Sequence, residues 1–296
     1  MRAGSGTAAP VRRGLGRLAA DHLAVLPFLA FVAVFLLWPT LTVIGGAFSA
    51  DDGGLTLSNL TGIFRSPYRE SFVRSIQLSA ITAVVGAVLG AALAWAVVAG
   101  RPDGLLRRVV TSAAGVMAQF GGVTLAFAFL ATVGFEGLVT VFLRDRGVNL
   151  FAGGAWIFEL PGLVLVYSYF QIPLMVIVFL PALDGLRPQW REASESLGGT
   201  GWTYLRLVAG PLLAPAFLGS LLLLFANAFS AYATAAALIS QGATIVPLQI
   251  RALQTGEVIL GQQGLGKALG LGMVVVVAVV MTLYALLQRR TSRWLR

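Results

Sequence analysis

Six stretches of this chain are apolar over about 20 residues or more, and they limit the possible folds more than any other feature. A bilayer core is about 30 Å thick, so a helix needs roughly 20 apolar residues to cross it. A lone segment in lipid must satisfy its own backbone hydrogen bonds, as a helix does. The sequence therefore predicts an all-α integral membrane protein with six transmembrane helices, near residues 24–48, 72–99, 108–133, 161–183, 212–240 and 268–288.

The overall composition supports the same class of protein. Hydrophobic residues make up 57% of the 296 residues and charged residues 11%, whereas a soluble domain carries about 25% charged residues. The net charge of +9 does not indicate nucleic-acid binding, because the basic residues lie at the ends of the predicted helices and not on one folded face. We expect the chain to contact a lipid bilayer and no nucleic acid.

The basic residues also predict how the helices are oriented. Most of the 21 Lys and Arg residues lie in the two terminal segments and in the second and fourth connections between spans. The other connections carry as many acidic as basic residues. By the positive-inside rule, the basic side faces the cytoplasm. Both termini are therefore expected in the cytoplasm, as an even number of spans requires.

We expect the chain to form a single domain, residues 1–296. It would comprise a cytoplasmic tail (1–23), a six-helix core (24–288) and a second cytoplasmic tail (289–296). The fourth connection, residues 184–211, differs from the others because it is amphipathic and mixes charged with aromatic residues. A folded element of this length between two spans is expected to contact a partner.

The side chains needed for metal binding and nucleophilic catalysis are nearly absent. The chain has no cysteine and one histidine, His22, so Cys-based or His-cluster metal sites lack their ligands. Residues 261–267 fit the phosphate-binding pattern G-x-x-x-x-G-K, but Ala268 stands where a Ser or Thr hydroxyl must reach Mg²⁺. We predict no cofactor, no metal site and no ATPase site in this chain.

The fourth connection carries clear signals for helix starts and stops. Pro188 suits the first turn of a short helix, and Gly198 suits its end, since glycine adopts the left-handed conformation of a C-terminal cap. Thr200 can cap a second short helix, and the chain is expected to turn into the fifth span at Pro211. The pattern predicts two short helices at an angle, with Glu192 presented outward.

These residues resemble a known motif. Glu192-Ala193-Ser194, Gly198 six residues after the glutamate, and Val208-Ala209-Gly210-Pro211 resemble the EAA loop of permease subunits of bacterial binding-protein-dependent ABC importers, type I. That family has Ala, Ile and Leu where this chain has Ser194, Val208 and Gly210. The six spans, with the loop between the fourth and fifth, are also similar, and the resemblance covers roughly residues 70–290.

The resemblance implies a mechanism and a set of partners. The loop would supply a coupling helix for a separate ABC ATPase subunit, expected as a dimer, through Glu192, Ala193, Ser194, Gly198 and Pro211. Further implied partners are a second permease subunit, identical or homologous, and an extracytoplasmic solute-binding protein. The chain would then be a non-catalytic subunit in the bacterial inner membrane. The simpler alternative is that Glu192 balances Arg191 or Arg187 on a solvated face, where ion pairs contribute little.

Polar residues at membrane depth are candidates for the route of a solute. The fifth span contributes Asn227, Ser230 and Thr234, which would share one helical face at i, i+3 and i+7. The fourth span contributes Gln171 and Tyr167. The alternative is that they join helices through interhelical hydrogen bonds, each worth about 0.6 kcal/mol. The spans contain no central charge, which argues against a proton relay.

The solute and the type of transporter are less constrained. Residues 227–234 and 246–250 resemble the group of permeases for polyamines, phosphonates, ferric iron or thiamine, which implies half of a pathway for a small polar solute. The alternative is a stand-alone secondary transporter or channel, which would call for intramembrane charge, an internal repeat or a pore built by one chain.

Two pairs of glycines are spaced for close helix packing. Gly86 and Gly90 form a Gly-x-x-x-Gly face on the second span, and Gly266 and Gly270 have the same spacing at the sixth. The first pair could pack either within the chain or at a subunit interface, and the second is expected to pack on a neighbouring helix.

Overall fold

The fold is seen in a computed structural model, which describes residues 25–50, 54–100, 104–239, 245–255 and 262–292. These ranges are helical and contain no strand, apart from one isolated bridge between Ser49 and Leu55. Six segments are long and apolar enough to cross a membrane: Val25–Ala47, Tyr68–Ala99, Gly122–Arg144, Leu160–Asp184, Gly201–Ser230 and Gln263–Leu287. The predicted all-α fold with six membrane-crossing segments is confirmed.

We number the main helices in chain order. They are α1 (Val25–Ala47), α2 (Tyr68–Ala99), α3 (Leu105–Gln119), α4 (Gly122–Val133), α5 (Leu138–Arg144), α6 (Leu160–Asp184), α7 (Pro188–Ser196), α8 (Gly201–Ser230), α9 (Ala233–Leu238), α10 (Val246–Thr255) and α11 (Gln263–Ser292). Short helical turns lie at Ser58–Gly62 and Trp156–Phe158.

Two of the long helices contain a π-turn close to a proline. In α1 the π-turn is Ala33–Leu37 and precedes Pro39, and in α8 it is Leu205–Ala209 and precedes Pro211. Proline has no N–H to donate, and its ring clashes with the carbonyl four residues earlier in a regular helix. The wider turn accommodates the proline, so both helices continue through it.

The centre of the bundle is the contact between α2 and α6, which two glycines make possible. A Cβ atom on Gly90 would lie 2.5 Å from the carbonyl oxygen of Ile172, and one on Gly86 would lie 2.7 Å from Cβ of Gln171. Neither position has room for a larger side chain. The Gly-x-x-x-Gly face therefore packs within the chain, which decides between the two alternatives that the sequence left open.

The second glycine pair also packs as predicted, on two different neighbours. A Cβ on Gly266 would lie 3.3 Å from Cβ of Leu253 in α10, and one on Gly270 would lie 3.3 Å from a methyl group of Val43 in α1. Helix α11 therefore packs between α1 and α10.

The prediction of one continuous third span over residues 108–133 is wrong. Helix α3 ends at Gln119, the backbone is extended at Gly121, and α4 begins at Gly122 with φ +71°. The left-handed region is readily accessible to glycine, so the Gly-Gly pair allows a break inside an apolar stretch. The segment that crosses the membrane then runs on from α4 into α5.

The prediction for the fifth span, residues 212–240, is also wrong at both ends. Helix α8 begins at Gly201 and ends at Ser230, and a separate helix, α9, follows after Ala231 and Tyr232. The predicted second short helix of the fourth connection is in fact the first turn of α8. Pro211 lies inside this helix, where the π-turn accommodates it.

Two connections predicted to lie on one side of the membrane are at the same end of the bundle. Arg107 at the start of α3 forms an ion pair of 2.6 Å with Asp184 at the end of α6. Since α7 follows α6 directly, we refer to this as the α7 end.

Candidate functional site

Helix α7 is bounded by the residues that the sequence indicated. Pro188 lies in its first turn, after an extended residue, Arg187. The helix ends at Ser196, and Gly198 has φ +80°. A side chain with a Cβ is strained in that conformation, so glycine allows the sharp turn out of α7.

The next turn is held by a reciprocal cap. The side-chain oxygen of Thr200 accepts a hydrogen bond of 3.3 Å from the backbone N–H of Thr203, and the side-chain oxygen of Thr203 accepts one of 3.3 Å from the N–H of Thr200. This is a capping box in which threonine replaces the usual Glu or Gln. The predicted cap at Thr200 is confirmed, and it starts the membrane-crossing helix α8.

Glu192 lies on the exposed side of α7. Within the described ranges its carboxylate has no ion-pair partner, because Arg191 pairs with Glu195 at 2.9 Å and the Arg187 guanidinium lies 5.8 Å from the Trp190 ring centre. The alternative pairing of Glu192 with Arg191 or Arg187 is therefore not what the structure has. An exposed carboxylate with no partner of its own is available to a cation on another molecule.

The remaining motif residues lie near an apolar groove beside Glu192. Ala193 is exposed and Ser194 is half-buried. Both line a groove of about 610 Å³ between α7 and α8, together with Trp190, Leu197 and Leu207. Trp190 also packs against the core at the α7 end, so α7 rests on the bundle along one side and is exposed on the other.

A second feature lies where two membrane-embedded helices are interrupted. The break between α3 and α4 meets the break between α8 and α9, and the backbone N–H of Gly122 donates a hydrogen bond of 2.9 Å to Oγ1 of Thr234. The hydroxyl of Tyr167 donates one of 2.8 Å to the carbonyl of Ala231. These contacts satisfy backbone groups that the breaks leave unpaired, as an apolar environment requires.

A cleft of about 270 Å³ opens between the two breaks. Its polar side chains are the amide of Asn227 and the hydroxyl groups of Ser230, Tyr232 and Thr234, and the rest of the lining is small or aromatic. The lining residues are Ala118, Gly121, Gly122, Phe170, Asn227, Ser230, Ala231, Tyr232, Ala233 and Thr234. None of these residues is charged.

The five polar residues predicted for the route divide into two groups. Asn227 and Ser230 are exposed at the cleft, and Thr234 lines it although its side chain is buried. Tyr167 and Gln171 are fully buried and lie behind the cleft wall. The predicted common helical face of Asn227, Ser230 and Thr234 is wrong, because α8 ends at Ser230 and Thr234 belongs to α9.

Gln171 joins α6 to α8 at the back of the cleft. Its Nε2 donates a hydrogen bond of 2.7 Å to the carbonyl of Leu224, and its Oε1 accepts one of 3.2 Å from Nδ2 of Asn227. This hydrogen bond orients the side-chain amide of Asn227, so that its Oδ1 is available to accept a hydrogen bond in the cleft.

The sequence did not single out Tyr232 or Gly121 as residues of the cleft. Tyr232 lines it, and its hydroxyl accepts a hydrogen bond of 2.8 Å from Arg251 in α10. The Gly121–Gly122 pair was a signal for the break, but nothing local indicates which residues the break faces. Across the described ranges, no group of three His, Cys, Asp or Glu side chains could hold a metal ion.

Curated relatives that match this chain include transport permeases. It is 28% identical over 208 residues to the trehalose transport system permease protein SugB of Mycobacterium tuberculosis, covering 70% of this chain and 68% of SugB. It is 28% identical over 116 residues to the thiamine transport system permease protein ThiP of Haemophilus influenzae, covering 37% of this chain but 21% of ThiP.

Solved structures share the fold. A bacterial ABC transporter involved in the import of the acidic polysaccharide alginate contains a chain that superposes with a TM-score of 0.72 at 15% identity, over 94% of this chain and 97% of that one. The MetNI methionine ABC transporter contains one with a TM-score of 0.56 at 16% identity, over 77% of this chain and 99% of that one.

A family profile covers most of the chain, including the breaks, α7 and the cleft. It matches residues 86–293 and is described as a binding-protein-dependent transport system inner membrane component. Together with the six apolar helices, this identifies an ABC transporter permease of the inner membrane that crosses it several times. The chain belongs to the family of inner membrane components of binding-protein-dependent transport systems.

Proposed function

We propose that this chain is the permease subunit of an ATP-driven importer and forms half of the pathway for a small polar solute. An extracytoplasmic binding protein delivers the solute, and a second permease subunit, identical or homologous, provides the other half. The observation that carries this proposal is the continuity of α8, which runs from the Thr200 cap beside α7 to Ser230 in the cleft. One element therefore connects the exposed motif with the cleft.

The coupling role belongs to α7 and its flanks. The α7 end faces the cytoplasm, in agreement with the positive-inside rule, and a separate ABC ATPase dimer binds there. Glu192 offers its carboxylate to a basic group of the ATPase, while Ala193 and Ser194 present a small surface beside it. Gly198 provides the turn out of α7, and Pro211 with its π-turn lets α8 continue into the membrane. ATP hydrolysis takes place on the partner.

The route of the solute passes the cleft. Asn227 and Ser230 contact the solute directly, since both are exposed there. Thr234, Tyr167 and Gln171 hold the walls in place through the hydrogen bonds that they make to the backbone. Two of the five candidates therefore contact the solute, and the other three position the walls of the cleft.

The chemistry of the lining favours an uncharged, hydroxyl-rich solute. No residue that lines the cleft in this subunit is charged, and Arg251 reaches it only through the Tyr232 hydroxyl, to which it donates a hydrogen bond. Transferring an ion into such a site without a counter-charge is costly. An amide, hydroxyl groups and aromatic rings provide the hydrogen bonds and apolar faces that a small polyol needs. Among the relatives quoted, SugB is named for trehalose, a sugar, which agrees with this lining, whereas ThiP is named for thiamine, a cation that the resemblance had included.

The test of coupling compares two glutamates of α7. Glu192 has no ion-pair partner among the described residues, whereas Glu195 pairs with Arg191. The tagged chain is purified in mild detergent, and the proteins that accompany it are identified by mass spectrometry. Glu192→Arg should abolish recovery of a P-loop ATPase and transport, and Glu195→Gln should leave both near wild type. If the wild-type chain transports with no ATPase, it is a stand-alone transporter and the proposal is wrong.

The test of the solute uses the assembled transporter in proteoliposomes, with its binding protein and three probes: a neutral disaccharide, thiamine and sulfate. Uptake of the disaccharide is expected, and Asn227→Leu should lower it, while Thr124→Val, an exposed position outside the cleft lining, should not. Uptake of thiamine or sulfate alone would contradict the uncharged solute but leave the importer function intact.

A further inference from the structure

An ion pair at the α7 end joins α3 to α6. Helix α6 leads into α7, and the far end of α3 lines the cleft. Nη2 of Arg107 lies 2.6 Å from Oδ2 of Asp184, and the two side chains are 26% and 40% exposed. Arg107 is in the first turn of α3, and Asp184 is the last residue of α6. The pair therefore connects segments that are 77 residues apart in the sequence.

Asp184 lies at the root of α7. The connection 185–187 separates it from Pro188, the first residue of α7, so the position of Asp184 determines where α7 leaves the bundle. Leu186 and Trp190 pack against the same apolar cluster as Val110 of α3. The root of α7 and the first half of α3 thus share one apolar cluster, and the ion pair joins α3 to the residue from which α7 departs.

The other end of α3 forms part of the cleft. Ala118 lies one residue before the end of this helix and lines the cleft, as does Gly121 just beyond it. On the opposite side, α8 connects α7 to Asn227 and Ser230. Two separate helices therefore run from the neighbourhood of α7 to the two walls of the cleft.

We propose that Arg107 and Asp184 are positioning residues that make α3 move together with α7. A displacement of α7 by the ATPase then shifts both cleft walls, one through α8 and one through α3. This inference rests on the proposed function. The attraction between unlike charges weakens with separation, so the pair holds α3 only while Asp184 stays next to it.

The pair is suited to coupling more than to overall stability. Partly exposed ion pairs contribute little to the free energy of unfolding, so removing this one is expected to leave a folded subunit. A second pair, Arg144 with Glu136 at 3.3 Å, is more exposed and joins the last residue of α5 to a residue just before this helix. It provides a matched control that does not contact α7.

The experiment measures the amount of solute transported per ATP hydrolysed by the full transporter in proteoliposomes. The variants are Arg107→Gln, Asp184→Asn, the exchange Arg107→Asp with Asp184→Arg, and the control Arg144→Gln. The two single variants should keep ATP hydrolysis while the transport ratio falls by about five-fold or more, as expected for the loss of a coupling free energy. The exchange should restore the ratio, and the control should match wild type.

The inference would be overturned if both single variants transported as much solute per ATP as the wild type. It would also be overturned if the exchange variant transported as little solute per ATP as the single variants. Where a single variant fails to assemble, a double variant, Arg107→Cys with Asp184→Cys, replaces the ion pair by a reversible thiol cross-linker in a chain without native cysteines. The amount of solute transported per ATP should be high while the two cysteines are cross-linked and should fall when the linker is cleaved. An unchanged amount after cleavage would overturn the inference. Absence of an ATPase from the wild-type complex would instead refute the proposed function.

Discussion

The backbone N–H of Gly122 donates a hydrogen bond of 2.9 Å to the side-chain hydroxyl of Thr234, 112 residues further along the chain. Gly122 begins α4 and Thr234 lies in the first turn of α9, so this contact joins the two helix breaks that flank the cleft. The first N–H groups of a helix have no partner within the helix. In apolar surroundings the threonine provides the missing acceptor, and each break thereby stabilises the other.

Replacing Thr234 by valine should therefore destabilise the subunit. The half-buried N–H of Gly122 would lose its acceptor, and since a fully buried unsatisfied donor costs about 1–3 kcal/mol, a loss toward the lower end of that range is expected. Thr234→Ser keeps the hydroxyl and should cost less. Thermal unfolding of the detergent-solubilised chain measures the difference. Ser230→Ala is the control, since the hydroxyl of Ser230 is exposed and bonds to its own helix at Ala226. Equal melting temperatures for T234V and S230A would contradict this role.

The contact between α2 and α6 should not tolerate a side chain at Gly90. A Cβ there would lie 2.5 Å from a backbone oxygen, which cannot move aside cheaply. Overpacking of this kind costs about 1–3 kcal/mol, so Gly90→Ala should lower the midpoint of unfolding in denaturant. Gly115→Ala in α3 is the matched control, because a Cβ there meets nothing within 4 Å. It should stabilise the helix by about 0.5–1 kcal/mol, and a loss of stability there would count against this interpretation.

The turn after α7 should depend on glycine at one position and not at its neighbour. Gly198 has φ +80°, and a left-handed residue with a Cβ costs about 1–2 kcal/mol. Gly198→Ala should therefore tilt or fray α7 and reduce recovery of the ATPase in affinity purification. Gly201 starts α8 without a positive φ, and a Cβ there meets open space. Gly201→Ala should leave the recovery unchanged, and a similar loss in both variants would show that the left-handed turn is not the cause.

Two neighbouring tyrosines of α6 should respond differently to removal of the hydroxyl. Tyr167 is buried and donates to the carbonyl of Ala231 at the break after α8. Tyr167→Phe should cost about 0.5–1.5 kcal/mol, the net value of a typical hydrogen bond, and should increase hydrogen exchange around that break. Tyr169 packs edge-on against Phe129, and its hydroxyl has no partner in the part of the chain that the structure describes. Tyr169→Phe should change neither the stability nor the exchange.

Local chemistry explains why several parts of the site could be predicted. Pro188, Gly198 and Thr200 each act through the conformation of their own backbone or through the next turn, so their roles at the ends of α7 were evident from the order of residues. The exposed position of Glu192 followed from the amphipathic pattern. The partner of Arg191 was not identified from the sequence, although Glu195 at i+4 is placed on the same helical face and the adjacent Glu192 is not.

The helix breaks were not predicted. The Gly121–Gly122 pair permits a break, but the residues around it are as apolar as those of an unbroken span. Whether the chain breaks at Gly121 depends on an acceptor for the next N–H, and Thr234 is distant in sequence. The same holds for the polar candidates. Tyr167 and Asn227 are both polar residues at membrane depth, yet one is buried against Ala231 and the other is exposed at the cleft.

The sequence by itself determined that the protein crosses a membrane with six apolar segments, because the free energy of transfer into lipid adds up residue by residue along each segment. It also determined where α7 begins and ends. Only the tertiary structure decided which helices break, which polar groups face the cleft, and that Arg107 lies beside Asp184. Each of these depends on satisfying a backbone or charged group with a partner from a distant part of the chain, and such partners are known only once the helices are packed.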